Sequence, residues 1–174
     1  IYIMNRVSNV VFSVGYYGPH ILFITSILMV VGTGLNDPLL LAKQILLLMS
    51  WNGMNVWLNG ALKKLIKQPR PRNMIKINEQ DKEHSHQYGM PSGHAQLAAN
   101  NLVFIAFLFR NHTITAIATI QTILTIYQRY SFRMHSASQL LAGTTIGGVS
   151  GYALYTLYKQ MTQKTNREKT QNTT

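Results

Sequence analysis

Five apolar segments separated by polar breaks constrain this chain more than any other feature. They run from Ile21 to Gly32, Pro38 to Leu65, His94 to Phe109, Thr113 to Tyr130 and Ala137 to Tyr158. A bilayer core takes about 20 helical residues, within a range of about 17 to 25. In lipid, a helix satisfies its own backbone. The segments therefore predict an all-α fold, a multi-pass membrane helix bundle. Composition agrees: only 12% of the 174 residues are charged and 47% are hydrophobic, whereas soluble domains carry roughly 25% charged residues. Val7 to Tyr17 is a candidate interfacial helix. Ile21 to Val31 mimics a signal-peptide core, but no A-x-A-like site follows, so cleavage is not expected.

Two polar regions interrupt the pattern. Lys67 to Gly93 reads as a loop, and Lys159 to Thr174 as a polar, basic tail predicted to be disordered. The chain thus divides into one unit over 1–158 and a tail over 159–174, with no internal repeat. The absence of cysteine excludes disulfide and thiolate chemistry. A net charge of +11 suits nucleic acid, an anionic lipid surface or a phosphate-bearing substrate. Because the basic residues are scattered between apolar spans, nucleic acid is the poorest fit.

Glycines at 143, 147 and 151 form a small-residue face suited to close helix packing. Asn52, Asn55, Asn59 and Lys63 also share one helix face. Polar groups do not face lipid cheaply, so this face should look into the bundle. The asparagines then either bond between helices or touch a substrate.

Alternating helix directions bring distant residues to one end. The second segment ends there, the third begins, the fourth ends and the fifth begins. Lys63, Arg70, Ser92, His94, Arg129 and His135 therefore fall on one membrane interface. Three cations, two imidazoles and a Ser-Gly turn suit a phosphate group. Arginine offers a planar fork and lysine a compact charge. Ser92 and Gly93 open a helix whose free N–H groups and dipole favour an anion. Ser92 as an ordinary N-cap is the plainer reading of that stretch.

These residues also carry a resemblance. "KKLIKQPRP", "PSGH" and "QRYSFRMHSASQ" resemble the three motifs of the type 2 phosphatidic acid phosphatase superfamily. The family's Lys-x6-Arg-Pro is matched by Lys63 and Arg70-Pro71, and its Pro-Ser-Gly-His by Pro91 to His94. In Ser-Arg-x5-His-x3-Asp, Arg129 and His135 match, while Gln128 replaces the serine and Gln139 the aspartate. The resemblance implies a membrane helix bundle with its site at one interface and a mechanism without metal or other cofactor. His135 would attack phosphorus and form a phosphohistidine, and His94 would protonate the leaving oxygen. Lys63, Arg70, Ser92, Gly93 and Arg129 would hold the phosphoryl oxygens. Gln139 can accept a hydrogen bond from His135 but offers no negative charge to an imidazolium.

The Tyr-Gly-Met before Pro91 and the Ser-Gln after His135 resemble the dolichyl-diphosphate phosphatase branch. That implies a polyprenyl diphosphate cleaved to the monophosphate, with the site facing the lumen of the endoplasmic reticulum. The alternatives are a phosphatidate-type lipid phosphatase, or a catalytically weak protein that binds lipid phosphates. Gln139 would be the mark of the latter.

Other candidates are weaker. His84, His86 and His94, with Asp81 and Glu83 nearby, could suggest a metal site, but their spacing fits no strong zinc pattern and a solvated loop is the plainer reading. Ser92 lacks the G-x-S-x-G turn of a nucleophile. Lys64, Lys67, Arg72 and Arg133 either widen the basic field for a diphosphate or anchor the interface. His20 and His112 read as surface or turn residues. Asn111 and Asn172 begin sequons on the side away from the site.

Overall fold

A computed structural model describes residues 13–34, 36–72, 74–75 and 88–171. Five helices follow in order: α1 (Gly18–Gly34), α2 (Pro38–Ile66), α3 (Gly93–Phe109), α4 (His112–Ser131) and α5 (Ala137–Gln171). No strand occurs among the described residues, and residues 13–16 are also helical. The earlier part of the helix expected over Val7 to Tyr17 lies outside the described residues, as do His84, His86, Asp81 and Glu83.

Local chemistry sets the helix ends. Asp37 caps α2 by accepting from Leu40 N at 3.1 Å, with Pro38 placed where a missing N–H costs nothing. Asn111 caps α4 by accepting from Thr113 N and Ile114 N. Lys67 and Arg110 close α2 and α3 in the left-handed region, each with its N–H returned to a carbonyl of the last turn.

The expected disordered tail is a correction. From Lys159 to Gln171 the chain continues α5 without a break. Thr162 accepts a hydrogen bond from Gln44 of α2 at 3.1 Å, and Lys169 pairs with Asp37 at 2.6 Å. Tyr158 packs into a core with Val30, Leu48, Phe104 and Leu154. Sequence composition made this segment look unable to fold alone. Docking on the start of α2 supplies what it lacks.

Helix α3 is the hub and touches all four others, α5 most extensively. The small-residue face explains why. A Cβ at Gly143, Gly147 or Gly151 would fall well inside contact distance of the carbonyl oxygens of Ser92, Gln96 and Asn100 respectively. Both series advance by one turn per step, so the two backbones lie against each other along their length. The asparagines of α2 bond between helices, as one of the two sequence readings held. Asn101 Nδ2 donates to Asn52 Oδ1 (3.1 Å), Gln96 Nε2 to Asn55 Oδ1 (3.1 Å) and Asn59 Nδ2 to Gln96 Oε1 (2.8 Å).

This polar interior has an apolar exterior. Leu28, Trp57, Ile117, Leu141 and Val149 are all exposed, while Gln96, Asn100, Asn101 and Gln139 are buried. Among the described residues no helix is long and apolar enough to cross a membrane. The inward amides are part of the reason. They lower the mean hydropathy of helices whose outer faces are leucine, isoleucine, valine and tryptophan.

Candidate active site

The end of the bundle where α2 and α4 finish and α3 and α5 begin collects the expected residues. Lys63 lies in the last turn of α2. Arg70 follows in the next turn, and the chain there is drawn back toward α4 by Ile75 N donating to Phe132 O at 3.0 Å. Ser92 caps α3, and its hydroxyl accepts from Ala95 N. Arg129 lies in the last turn of α4. The link from α4 to α5 wraps around the Arg129 carbonyl, which accepts from Met134 N (3.0 Å) and His135 N (3.3 Å). Arginine and imidazole are thus tied through the backbone.

These groups lie within electrostatic reach of one another. His135 feels Arg70, Lys63 and Arg129. Lys63 feels Arg70 and Arg129, and His94 feels Arg129, His135, His20 and Lys63. Burial, first, and then the three cations push the His135 imidazole down to about 3, against a smaller opposing effect of its bond to Gln139. A ring 4% exposed amid fixed positive charge stays neutral, with a lone pair available to a phosphorus atom.

Gln139 decides which nitrogen that is. Its Oε1 accepts from Ser136 N at 3.2 Å and its Nε2 donates to the Pro69 carbonyl at 2.8 Å. A backbone N–H only donates and a carbonyl only accepts, so the amide has one possible orientation. Oε1 also faces His135 Nδ1 at 3.2 Å, which makes Nδ1 the protonated nitrogen and leaves Nε2 free of a proton. Gln139 also accepts Ser92 N at its own carbonyl (3.0 Å). One residue therefore joins the turns that carry Arg70, Ser92 and His135.

Gly89 belongs to this joint. Its N–H donates to Gln68 O at 2.8 Å, and a Cβ there would meet Gln139 Oε1 at 2.5 Å. Two separate sequence features, the Tyr-Gly-Met and the Ser-Gln, are in contact.

Beside Arg129, Met134 Sδ lies 2.7 Å from Nη1, and Tyr16 lies under the guanidinium with Cζ 4.8 Å from its ring centroid. Arg129 Nη2 contacts His94 Nε2. The Tyr16 ring is 5.7 Å from that of His94. Gly93 is backed by Asn59, whose Oδ1 would stand 3.0 Å from a Cβ at that position, and Asn59 Nδ2 donates to Pro91 O at 3.2 Å. The peptide before Pro91 is cis.

Several of these residues escaped the sequence reading. Tyr16 carries no motif. His20 read as a surface residue, and it is exposed, yet it lies within electrostatic reach of His94. Asn59 showed its inward face in sequence but not its hold on Pro91. The Ser92 N–H, expected to be open to an anion, is committed to Gln139. Its hydroxyl proton and the following amides are the donors that remain at the turn.

The comparisons with known proteins bear on this geometry. No curated protein matches the chain. The crystal structure of "the first transmembrane PAP2 type phosphatidylglycerolphosphate phosphatase from Bacillus subtilis" is similar, with a TM-score of 0.67 and 21% identity over 93% of this chain and 80% of that one. At that identity the likeness is one of fold. The model of the PAP2 superfamily matches residues 44–163, which include every motif residue of the site. The chain therefore belongs to the PAP2 superfamily, a family of phosphatases.

Proposed function

We propose that this protein is a metal-independent membrane phosphatase that hydrolyses a polyprenyl, dolichyl-type diphosphate to the monophosphate through a phosphohistidine. The observation that carries the reading is His135: buried, held at Nδ1 by an amide of fixed orientation, with Arg70, Lys63 and Arg129 around it.

In the first step Nε2 of His135 attacks the terminal phosphorus, and the bond to the bridging oxygen breaks. The electron pair leaves on that oxygen as the lipid monophosphate, with a proton supplied by His94. Arg129 Nη2 donates to His94 Nε2. Binding of a phosphoryl group would draw Arg129 onto its oxygens and free that nitrogen to carry the proton. In the second step water attacks the phosphohistidine and gives its proton to His94, which releases inorganic phosphate and restores His135. Phosphoryl transfer spreads charge over the equatorial oxygens, and fixed cations and amides supply most of the stabilisation. Lys63, Arg70, Arg129, the Ser92 hydroxyl and the start of α3 fill that role.

The membrane setting rests on the distribution of polarity. Leu65 is 77% exposed and Trp57 71%, while Gln96, Asn100 and Asn101 are fully buried. That arrangement places apolar side chains where lipid would be and amides where they find each other. The polyprenyl substrate is supported by the contact between Gly89 and Gln139, which joins the two features shared with the dolichyl-diphosphate phosphatase branch. By the same likeness the site faces the lumen of the endoplasmic reticulum and the end of α5 the cytosol. A glycan on the tail sequon at Asn172 would reverse that orientation.

The test is phosphate release by purified protein in mixed micelles, with chelator present. Polyprenyl diphosphate should be cleaved and phosphatidate should not, and His135→Ala should be inactive on both. Release that survives in His135→Ala would remove the nucleophile. Binding without turnover in the wild type would support the lipid-phosphate-binding alternative.

A further inference from the structure

Beside His135 the surface opens into a cleft of about 590 Å³ whose lining includes Pro71, Tyr130, Ser131, Arg133, His135 and Ser136. Among the described residues no carboxylate lines it. Among the described residues the acids are Asp37 and Glu168, both at the opposite end of the bundle. Of the four accessory cations that the sequence raised, Arg133 is the one that shares this cleft with His135.

The backbone aims Arg133 there. Its φ of 52° lies in the left-handed region, uncommon for a residue with a Cβ. The bend is held by Arg133 N donating to Tyr130 O at 2.9 Å, and by Met134 N and His135 N on the Arg129 carbonyl. Its result is an alternation. Met134 turns inward and is fully buried beneath Arg129, while Arg133 faces out beside His135. Ser136 and Ser131 add hydroxyls, and the Ser136 hydroxyl lies 2.9 Å from that of Ser138.

We infer that this cleft is a second phosphate subsite, in which Arg133 and the hydroxyls of Ser131 and Ser136 bind a phosphate group next to the one handled by His135. The inference rests on the phosphatase reading. An arginine fork with hydroxyls and, among the described residues, no nearby acid selects a phosphate anion over other small ligands. Two sources share that chemistry: the second phosphate of a lipid diphosphate, and the inorganic phosphate that hydrolysis releases.

The experiment uses the full chain in mixed micelles and compares wild type with Arg133→Asn and Arg133→Lys. Asparagine tolerates the left-handed backbone, so the first variant removes charge while keeping the bend. If Arg133→Asn fails to reach the wild-type melting temperature, Arg133→Gly replaces it, since glycine takes that backbone freely. KM is measured for polyprenyl diphosphate, together with the inhibition constants of its lipid product, polyprenyl monophosphate, and of inorganic phosphate.

If the lipid is the source, Arg133→Asn raises KM for the diphosphate about tenfold, the scale of one charge-assisted hydrogen bond, and raises the inhibition constant of the monophosphate much less. If free phosphate is the source, the inhibition constant of inorganic phosphate rises by about that factor, and KM for the diphosphate and the inhibition constant of the monophosphate change equally. Arg133→Lys should fall between wild type and Arg133→Asn in either case. All three constants staying within about twofold of wild type, or Arg133→Lys as impaired as Arg133→Asn, would overturn the subsite. A wild-type protein that releases no phosphate from any lipid phosphate would overturn the phosphatase reading instead. In that event, phosphorus NMR titration of inorganic phosphate into wild type and Arg133→Asn tests the subsite alone. Equal affinities would refute it.

Discussion

Replacing Gln139 by glutamate changes one atom and tests the joint at the site. In the native site Oε1 receives Ser136 N and His135 Nδ1, and Nε2 donates to Pro69 O at 2.8 Å. Glutamate keeps the first face. On the second it sets an anionic oxygen against a carbonyl oxygen, at a cost of about 1–3 kcal/mol for the lost donor and the unpaired acceptor. The carboxylate also favours the charged ring. An adjacent opposite charge raises an imidazole by roughly 1–3 units, and His135 starts from about 3. Since kcat/KM follows the free enzyme, its acid limb should move upward by the same interval, because the protonated ring cannot attack. The assay is kcat/KM for polyprenyl diphosphate from pH 4 to pH 8, for wild type and Gln139→Glu. Titrations of His94 and of the substrate are common to both and cancel in the ratio. That ratio should fall as pH falls. A ratio independent of pH would refute the contact between Gln139 and His135 as the control on the proposed nucleophile.

Three further outcomes follow from the same geometry. Gly89→Ala puts a Cβ onto the Gln139 amide and should lower kcat by about tenfold or more with little change in melting temperature, because a 1 Å misplacement is costly to catalysis; steady-state kinetics beside thermal unfolding separates the two effects. Gly147→Leu drives a side chain into the Gln96 backbone and should destabilise by about 1–3 kcal/mol or more, read by denaturant midpoint, with Val149→Leu on the exposed face nearly neutral. His135 binds a proton in the unfolded chain below about 6.5 but in the folded one only near 3, so the unfolded state holds more protons in that window and stability falls with falling pH, by up to about 1.4 kcal/mol per unit. Melting temperature against pH should show a weaker slope in His135→Gln.

The reasons for what could be read in advance are local and periodic. Lys63, Arg70, the Pro91–His94 turn, Arg129 and His135 are fixed by short spacings and by the alternation of helix directions, so their convergence was legible. The face of Asn52, Asn55 and Asn59 was legible for the same reason, since a helix presents every third or fourth residue on one side. Composition was a poorer guide. It counted Lys159 to Gln171 as unable to fold, because it sees the polar segment and not Asp37 and Gln44 of α2, against which that segment docks.

What the chain determined by itself is the set of helices, their caps and the groups brought to one end, because those depend on hydrogen bonds and periodicity within a few residues. Tertiary structure alone decided how His135, the proposed nucleophile, is held. The orientation of the Gln139 amide depends on Pro69 O, a partner 70 residues away along the chain. The space for it depends on Gly89, and the place of Tyr16 beneath Arg129 depends on a helix end with no motif. Those contacts are set by how α2, α4 and α5 close around α3, and no local pattern encodes a distance between turns.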